Sequence, residues 1–209
     1  MSRSERRDLI PPRIVIEVAR AAMGGIDLDP YSTPEVNHVV QAARFLDRSP
    51  HVDIAAGRHW SPSGHKRVLL SVPSGVPMGR ALANKLLQDY RDRHIEEAVL
   101  WFGSNEVLTR CPWIWDFPIC VPFSRLAPQF WDDELEEPGR VAPADWSPIV
   151  YLPQASPAAA FSRSLARFHA AAAPYGRVVL DQWSGENHWI DNYRVALGRP
   201  YDFTPCPAE

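Results

Sequence analysis

Two short segments place reactive side chains where a strand gives way to a turn. In Ile26-Asp27-Leu28-Asp29-Pro30, two carboxylates stand two residues apart. In Leu70-Ser71-Val72-Pro73-Ser74-Gly75, two hydroxyls flank a valine and a proline. A carboxylate at such a position accepts hydrogen bonds from a ribose or a ligand amine. Ligands of open α/β sheets bind beyond the carboxyl ends of the strands, so both segments are candidate sites. Asp29-Pro30 also reads as an ordinary turn, because Asp before Pro favours turns.

Other reactive residues are better explained without a site. His59-Trp60 and His65 offer acid/base groups, but loop histidines are usually solvated. Asp181, Glu186, His188 and Asp191 lie close in sequence, yet acids and histidine at a helix start serve capping and solvation, and no metal is expected. Arg163, Arg167, His169 and Arg177 form a mildly basic stretch, suited to phosphates or simply to solvent. The three cysteines, Cys111, Cys120 and Cys206, fit neither a disulfide framework nor a zinc pattern. They are expected to be free thiols in a reducing cytoplasm.

The elements that position these residues follow from periodicity. Pro11-Pro12 opens a helix over 14–23, closed by Gly24-Gly25. A strand over 26–30 leads to a helix from the Thr33 N-cap and Pro34 to about Phe45. Residues 47–66 read as a loop and 67–71 as a buried strand. A helix over 77–93, a strand over 98–102, a short helix over 105–115 and a strand over 118–123 follow. Residues 132–145 read as an exposed acidic loop, 147–152 as a strand, 158–173 as a helix, 177–180 as a strand and 186–197 as a last helix. Strands alternating with helices indicate an α/β sheet covered on both faces.

Composition bounds the function. The 209 residues carry 22 basic and 25 acidic side chains, a net charge of −3. That balance disfavours attraction of nucleic acid by the whole surface and leaves only a local basic patch. Prolines number 21 against 11 glycines, which argues for many short elements rather than long helices. No apolar run is long enough to span a membrane, and the basic start Met1–Arg7 leads into no signal-peptide core. A cytoplasmic location is expected.

The order of these motifs resembles the phage- and plasmid-type DNA N6-adenine methyltransferases. The resemblance runs through Pro11-Pro12, the helix after it, Ile26–Pro30, Asn37, Phe45, Trp60 and Ser71–Ser74. It continues through Glu97–Phe102, Trp113, Trp115, Pro118–Phe123 and Trp146–Tyr151, covering about residues 8–152 as one domain. Residues 153–209 would form an α/β extension packed on it. The resemblance implies a Rossmann-like methyltransferase sheet with helices on both faces. It implies that S-adenosylmethionine lies beside Pro12, Asp27, Asp29 and Pro30, and that the substrate is an adenine flipped out of DNA.

The departures bear on catalysis. Where the family has Asn-Pro-Pro-Tyr, this chain has Ser71-Val72-Pro73-Ser74. Methyl transfer to the adenine amino group needs a side-chain oxygen of Asn or Asp and a stacking ring. Ser71 reaches less far than Asn, Val72 replaces a stiffening proline, and Ser74 has no ring to contribute the about 1–3 kcal/mol of base stacking. Trp60 or Trp101 could replace the ring from elsewhere, though the sequence gives no warrant for either. The expectation is a methyltransferase-like protein that has lost catalysis and acts as a binding or assembly subunit, with S-adenosylmethionine or DNA binding retained in part. An active adenine methyltransferase with an altered loop is the alternative, and an unrelated α/β protein a third.

Overall fold

The computed structural model describes residues 9–48, 60, 66–73, 79–142, 146–155 and 157–179. The local signals act where the chain chemistry puts them. Helix α1 (Arg13–Met23) follows Pro12 and buries Val15, Ile16, Val18, Ala19, Ala22 and Met23 on one stripe. Gly24 ends it at φ +73°, in the left-handed region, with its N–H on the Arg20 carbonyl. Helix α2 (Pro34–Val40) starts as its sequence dictates, with Val36 N–H donating to Thr33 Oγ1 at 3.2 Å.

α2 stops at Val40 rather than near Phe45. The Asn37 side chain accepts from Ala42 N–H at 3.0 Å and donates to the Ala42 carbonyl at 3.3 Å, while Gln41 turns left-handed. The chain is thereby released into strand β3 (Arg44–Asp47). A second correction concerns the acidic segment. Residues 129–141 form a hairpin of β7 (Gln129–Asp132) and β8 (Glu137–Val141), not a loop. With β1 (Leu9–Ile10) it makes a small antiparallel sheet in the order β1-β7-β8.

The main sheet contains β2 (Leu28–Ser32), β3, β4 (Arg67–Val72), β5 (Glu97–Phe102), β6 (Ile119–Pro122), β9 (Ile149–Leu152) and β10 (Gly176–Val179). Its order is β10-β6-β9-β5-β4-β2-β3. β3, β2, β4 and β5 run parallel, and β9 and β10 run against their neighbours. The sheet is therefore mixed. The proline of β6, Pro122, is the strand's last residue, where a missing N–H interrupts least.

Side chains alternate across the sheet and so feed two cores. Val68, Leu70 and Val72 of β4 join Leu82, Leu86 and Tyr90 of α3 (Gly79–Arg91) and Trp113 and Ile114 of a 3-10 helix (Pro112–Asp116). Leu69 of β4 joins Val99, Trp101, Ile149 and Tyr151, with α1, and with Phe168 and Ala172 of α5 (Ala158–Ala172), on the opposite face. α5 and β10, which lie beyond residue 152, complete this same sheet and its cores. The final helix over 186–197 lies outside the described residues.

Candidate functional site

The parallel half of the sheet reverses its winding between β2 and β4. From β2 the chain moves outward to the edge strand β3, then returns to the other side of β2 and continues through β4 to β5. Such a switch point opens a crevice at the carboxyl ends of the two central strands, where ligands of α/β sheets bind. Asp29 and Pro30 lie in β2, and Ser71 and Val72 end β4, with Pro73 next. Asp29 is the second of five residues in β2 and follows Leu28, the partner of Val68, so it is level with Leu69, two residues short of Ser71.

Asp29 is fully buried. Its Oδ1 accepts the Tyr31 backbone N–H at 3.1 Å, an Asx-type turn within the strand end. Its Oδ2 has no hydrogen-bond partner. Desolvation pushes the carboxyl up to about 6, against the lowering pull of the Tyr31 N–H, the Ser32 hydroxyl and the Arg48 guanidinium. A carboxyl raised by burial and left with a free acceptor atom is a feature of binding and catalytic sites.

Asp27 has a different fate. It precedes β2 at the amino edge of the sheet, where its carboxylate accepts from the backbone N–H of Lys66 and Arg67 and forms an ion pair with the Arg67 guanidinium at 2.5 Å. The Arg67 guanidinium holds the Asp27 carboxyl below its ordinary value. Arg67 also donates to the Met23 and Gly24 carbonyls. Asp27 is thus a structural clamp just ahead of β2, its carboxylate already engaged by Arg67.

Ser71 is buried and pairs in register with Trp101 on β5. Alternation puts Ser71 on the side of Leu69, facing α1, and Val72 on the side of α3. Pro73 is buried behind them, and Ser74 lies outside the described residues. Pro12 is the residue immediately before α1 and contributes its carbonyl to Val15 and Ile16 N–H. The C-terminus of α1 is held by Arg67 at the amino edge. Its N-terminus lies 11 residues, about 16 Å, away.

Neither tryptophan proposed as a substitute ring presents a face to solvent. Trp60 is 5% exposed, with its backbone N–H donating to Asp89 Oδ2 at 3.1 Å and the Lys85 ammonium over its ring. Trp101 is 1% exposed. Exposed rings are found instead at Phe123, after β6, and at Trp115. His59, His65 and the Asp181–Asp191 cluster lie outside the described residues. Among the described residues no group of three or more His, Cys, Asp or Glu side chains is arranged to hold a metal ion. Cys111 and Cys120 are buried free thiols whose ionisation burial pushes up to about 11.

Two further polar atoms are buried without a partner, Trp101 Nε1 and Ser147 Oγ. Both lie near the carboxyl end of β5, where the antiparallel β9 begins. Sequence offered no signal for Ser147, whose position depends on β9 running against β5. Arg167, read as part of a basic face, is instead bound to Glu97 at 2.9 Å and to the Ala22 carbonyl at 2.6 Å.

These observations define an α/β protein with a mixed seven-stranded sheet and a polar, partly unsatisfied switch-point crevice. No family model, no curated protein and no solved structure matches the chain. No helix among the described residues is long and apolar enough to cross a membrane.

Proposed function

We propose that this chain is a methyltransferase-like protein that binds S-adenosylmethionine at the β2–β4 crevice and has lost adenine-N6 transfer. The observation that carries the reading is the buried Asp29 carboxyl, with an unpartnered Oδ2 at the switch point. A ribose hydroxyl or a ligand ammonium satisfies such an atom, and a nucleoside cofactor supplies the first. The residues present fit the group: Asp29 for a hydroxyl, Pro12 and Pro30 for shape, and the N-terminus of α1 for negative charge. S-adenosylmethionine, when bound, supplies an activated methyl group.

What the chain's own residues offer to a methyl acceptor is little. The resemblance gives the Ser71 hydroxyl the role of the amide oxygen that would hold an adenine amino group, and this hydroxyl is buried on the α1 side of β4. Losing a positioned acceptor costs about 3–4 kcal/mol of transition-state stabilisation. The β7–β8 hairpin adds Asp132, Asp133, Glu134, Glu136 and Glu137, which repel DNA phosphates. This favours a binding or assembly role with a protein partner over DNA modification in a cytoplasmic setting.

Titration calorimetry with S-adenosylmethionine, together with transfer of labelled methyl to unmethylated DNA, tests the reading. Saturable binding abolished by Asp29→Ala, without transfer, is expected. Robust transfer that is lost in Ser71→Ala would establish an active enzyme instead, and absence of binding would remove the cofactor role.

A further inference from the structure

One corner of the main sheet keeps an apolar strip open. Strand pairing and alternation fix which residues share a face at β6 and β10. Ile119 and Val121 pack with the α3-side core, and Cys120 and Val178 with the core beneath α1 and α5. Arg177 pairs with Val121, and Val179 with Ile119. Arg177 and Val179 therefore stand on the α3 side. Phe123, two residues on from Val121, lies at the end of this row, with its N–H on the Tyr175 carbonyl at 3.0 Å. Ile119 is buried and Val121 half-buried, but Val179 is 40% and Phe123 76% exposed, and Arg177 is exposed between them. From Ile119 to Phe123 the strip is about 13 Å long. The other face of β10 packs against α5.

Scattered apolar side chains on a surface need no explanation, whereas adjoining ones mark a contact. The chain itself supplies a candidate occupant. Val179 is the last described residue, and residues 180–209 follow it directly. Trp189, Ile190, Tyr193 and Leu197 recur at the spacing of one helical face. A helix over 186–197, as the sequence predicts, would be about 18 Å long, enough to span the strip. The six residues 180–185 are long enough to turn the chain back along it. Charge agrees with this. Asp181, Glu186 and Asp191 precede the segment's first basic residue, Arg194, and the strip carries Arg177 at its middle.

We propose that the strip formed by Val121, Phe123, Arg177 and Val179 is the docking surface for the chain's own segment 180–209. The apolar positions 189–197 cover Val121, Phe123 and Val179, and the acids ahead of Arg194 face Arg177. Tethering at Val179 favours this occupant over a separate molecule, because it holds the segment at high effective concentration beside the strip. The acids and His188 that stand close in sequence then serve as counter-charges on a surface, not as metal ligands. The inference is independent of the S-adenosylmethionine reading.

Hydrogen exchange by mass spectrometry on the full chain tests it, with light scattering as the measure of oligomeric state. In the wild-type monomer, amides over 189–197 are expected to exchange at least about tenfold more slowly than in an unfolded chain. Phe123→Asp with Val179→Asp should abolish that protection, and Arg177→Glu should reduce it, while β4 and β5 stay protected. If the double variant loses protection in β4 and β5 as well, Phe123→Ser alone, at a largely exposed side chain, decides by the same criterion. Unprotected amides over 189–197 in the wild type, or protection that survives these substitutions, overturns the inference. So does a wild-type dimer that Phe123→Asp dissociates, which would make a second copy the occupant.

Discussion

Asp27 and Asp29 are two residues apart and titrate in opposite directions. Arg67 holds the first below 3.8 at the amino edge, and burial within the sheet lifts the second to about 6. One carboxylate stabilises the fold when charged, and the other opposes it.

The pH dependence follows from the signs. Asp29 has a folded value above its ordinary 3.8, so the native state holds its proton more tightly than the unfolded chain does. Its contribution is most favourable below about pH 3.8 and is lost as pH rises through about 6. Asp27 acts the other way, stabilising above 3.8 and losing that effect in stronger acid. Asp29→Asn should therefore stabilise the ligand-free protein at pH 7 by up to about 3 kcal/mol and flatten stability between pH 4 and 6. Urea unfolding at pH 4, 5, 6 and 7 measures this. An Asn variant with unchanged slope across that window would show that Asp29 is not the titrating group.

Glu97 is 4% exposed at the amino end of β5, where it accepts from the Tyr151 hydroxyl and from Arg167 at 2.9 Å. Through Arg167 and the Ala22 carbonyl it ties α1, β5, β9 and α5 together. Removing one partner of a buried pair strands the other charge. Arg167→Ala should cost about 2–3 kcal/mol, less than for a fully buried pair because the Arg167 side chain is 41% exposed. Arg167→Met with Glu97→Gln should recover a large part of that loss. A double variant as unstable as the sum of the singles would refute the coupling.

Gly176 begins β10 directly against β6. A Cβ there would stand 2.6 Å from Cys120 Sγ and 2.8 Å from Pro122 Cα, and would strike the Val121 carbonyl. Because two of these obstacles are backbone, a side chain cannot be accommodated by rotation alone. Gly176→Ala should destabilise the protein by about 1–3 kcal/mol and speed hydrogen exchange at Val178, the register partner of Cys120. Protection at Val178 equal to wild type would argue against this steric role.

Much of the framework was legible in the sequence because it is set by neighbours along the chain. Thr33-Pro34 starts a helix by donating a cap and a fixed φ, and Gly24 ends one by taking a left-handed backbone. β4 and β5 declare themselves as apolar runs since both faces are buried. The errors arose where a nonlocal or side-chain bond decided. The Asn37–Ala42 ring cut α2 short, and pairing with β1 drew the acidic segment into a hairpin. Acidic composition describes the solvent face of a strand as readily as a loop.

By itself the sequence determined the periodic elements, the proline-marked strand ends and the Ser71-Val72-Pro73-Ser74 turn. Those depend on residue type and short spacing. Only the tertiary structure decided which carboxylate is clamped and which keeps a buried oxygen without a partner. Asp27 and Asp29 are chemically identical, and what separates them is Arg67, forty residues from Asp27, and the depth of the sheet around Asp29. Likewise Trp101 and Ser147 are joined by the antiparallel course of β9 beside β5, a pairing set by packing across the whole sheet and by nothing in their local sequence.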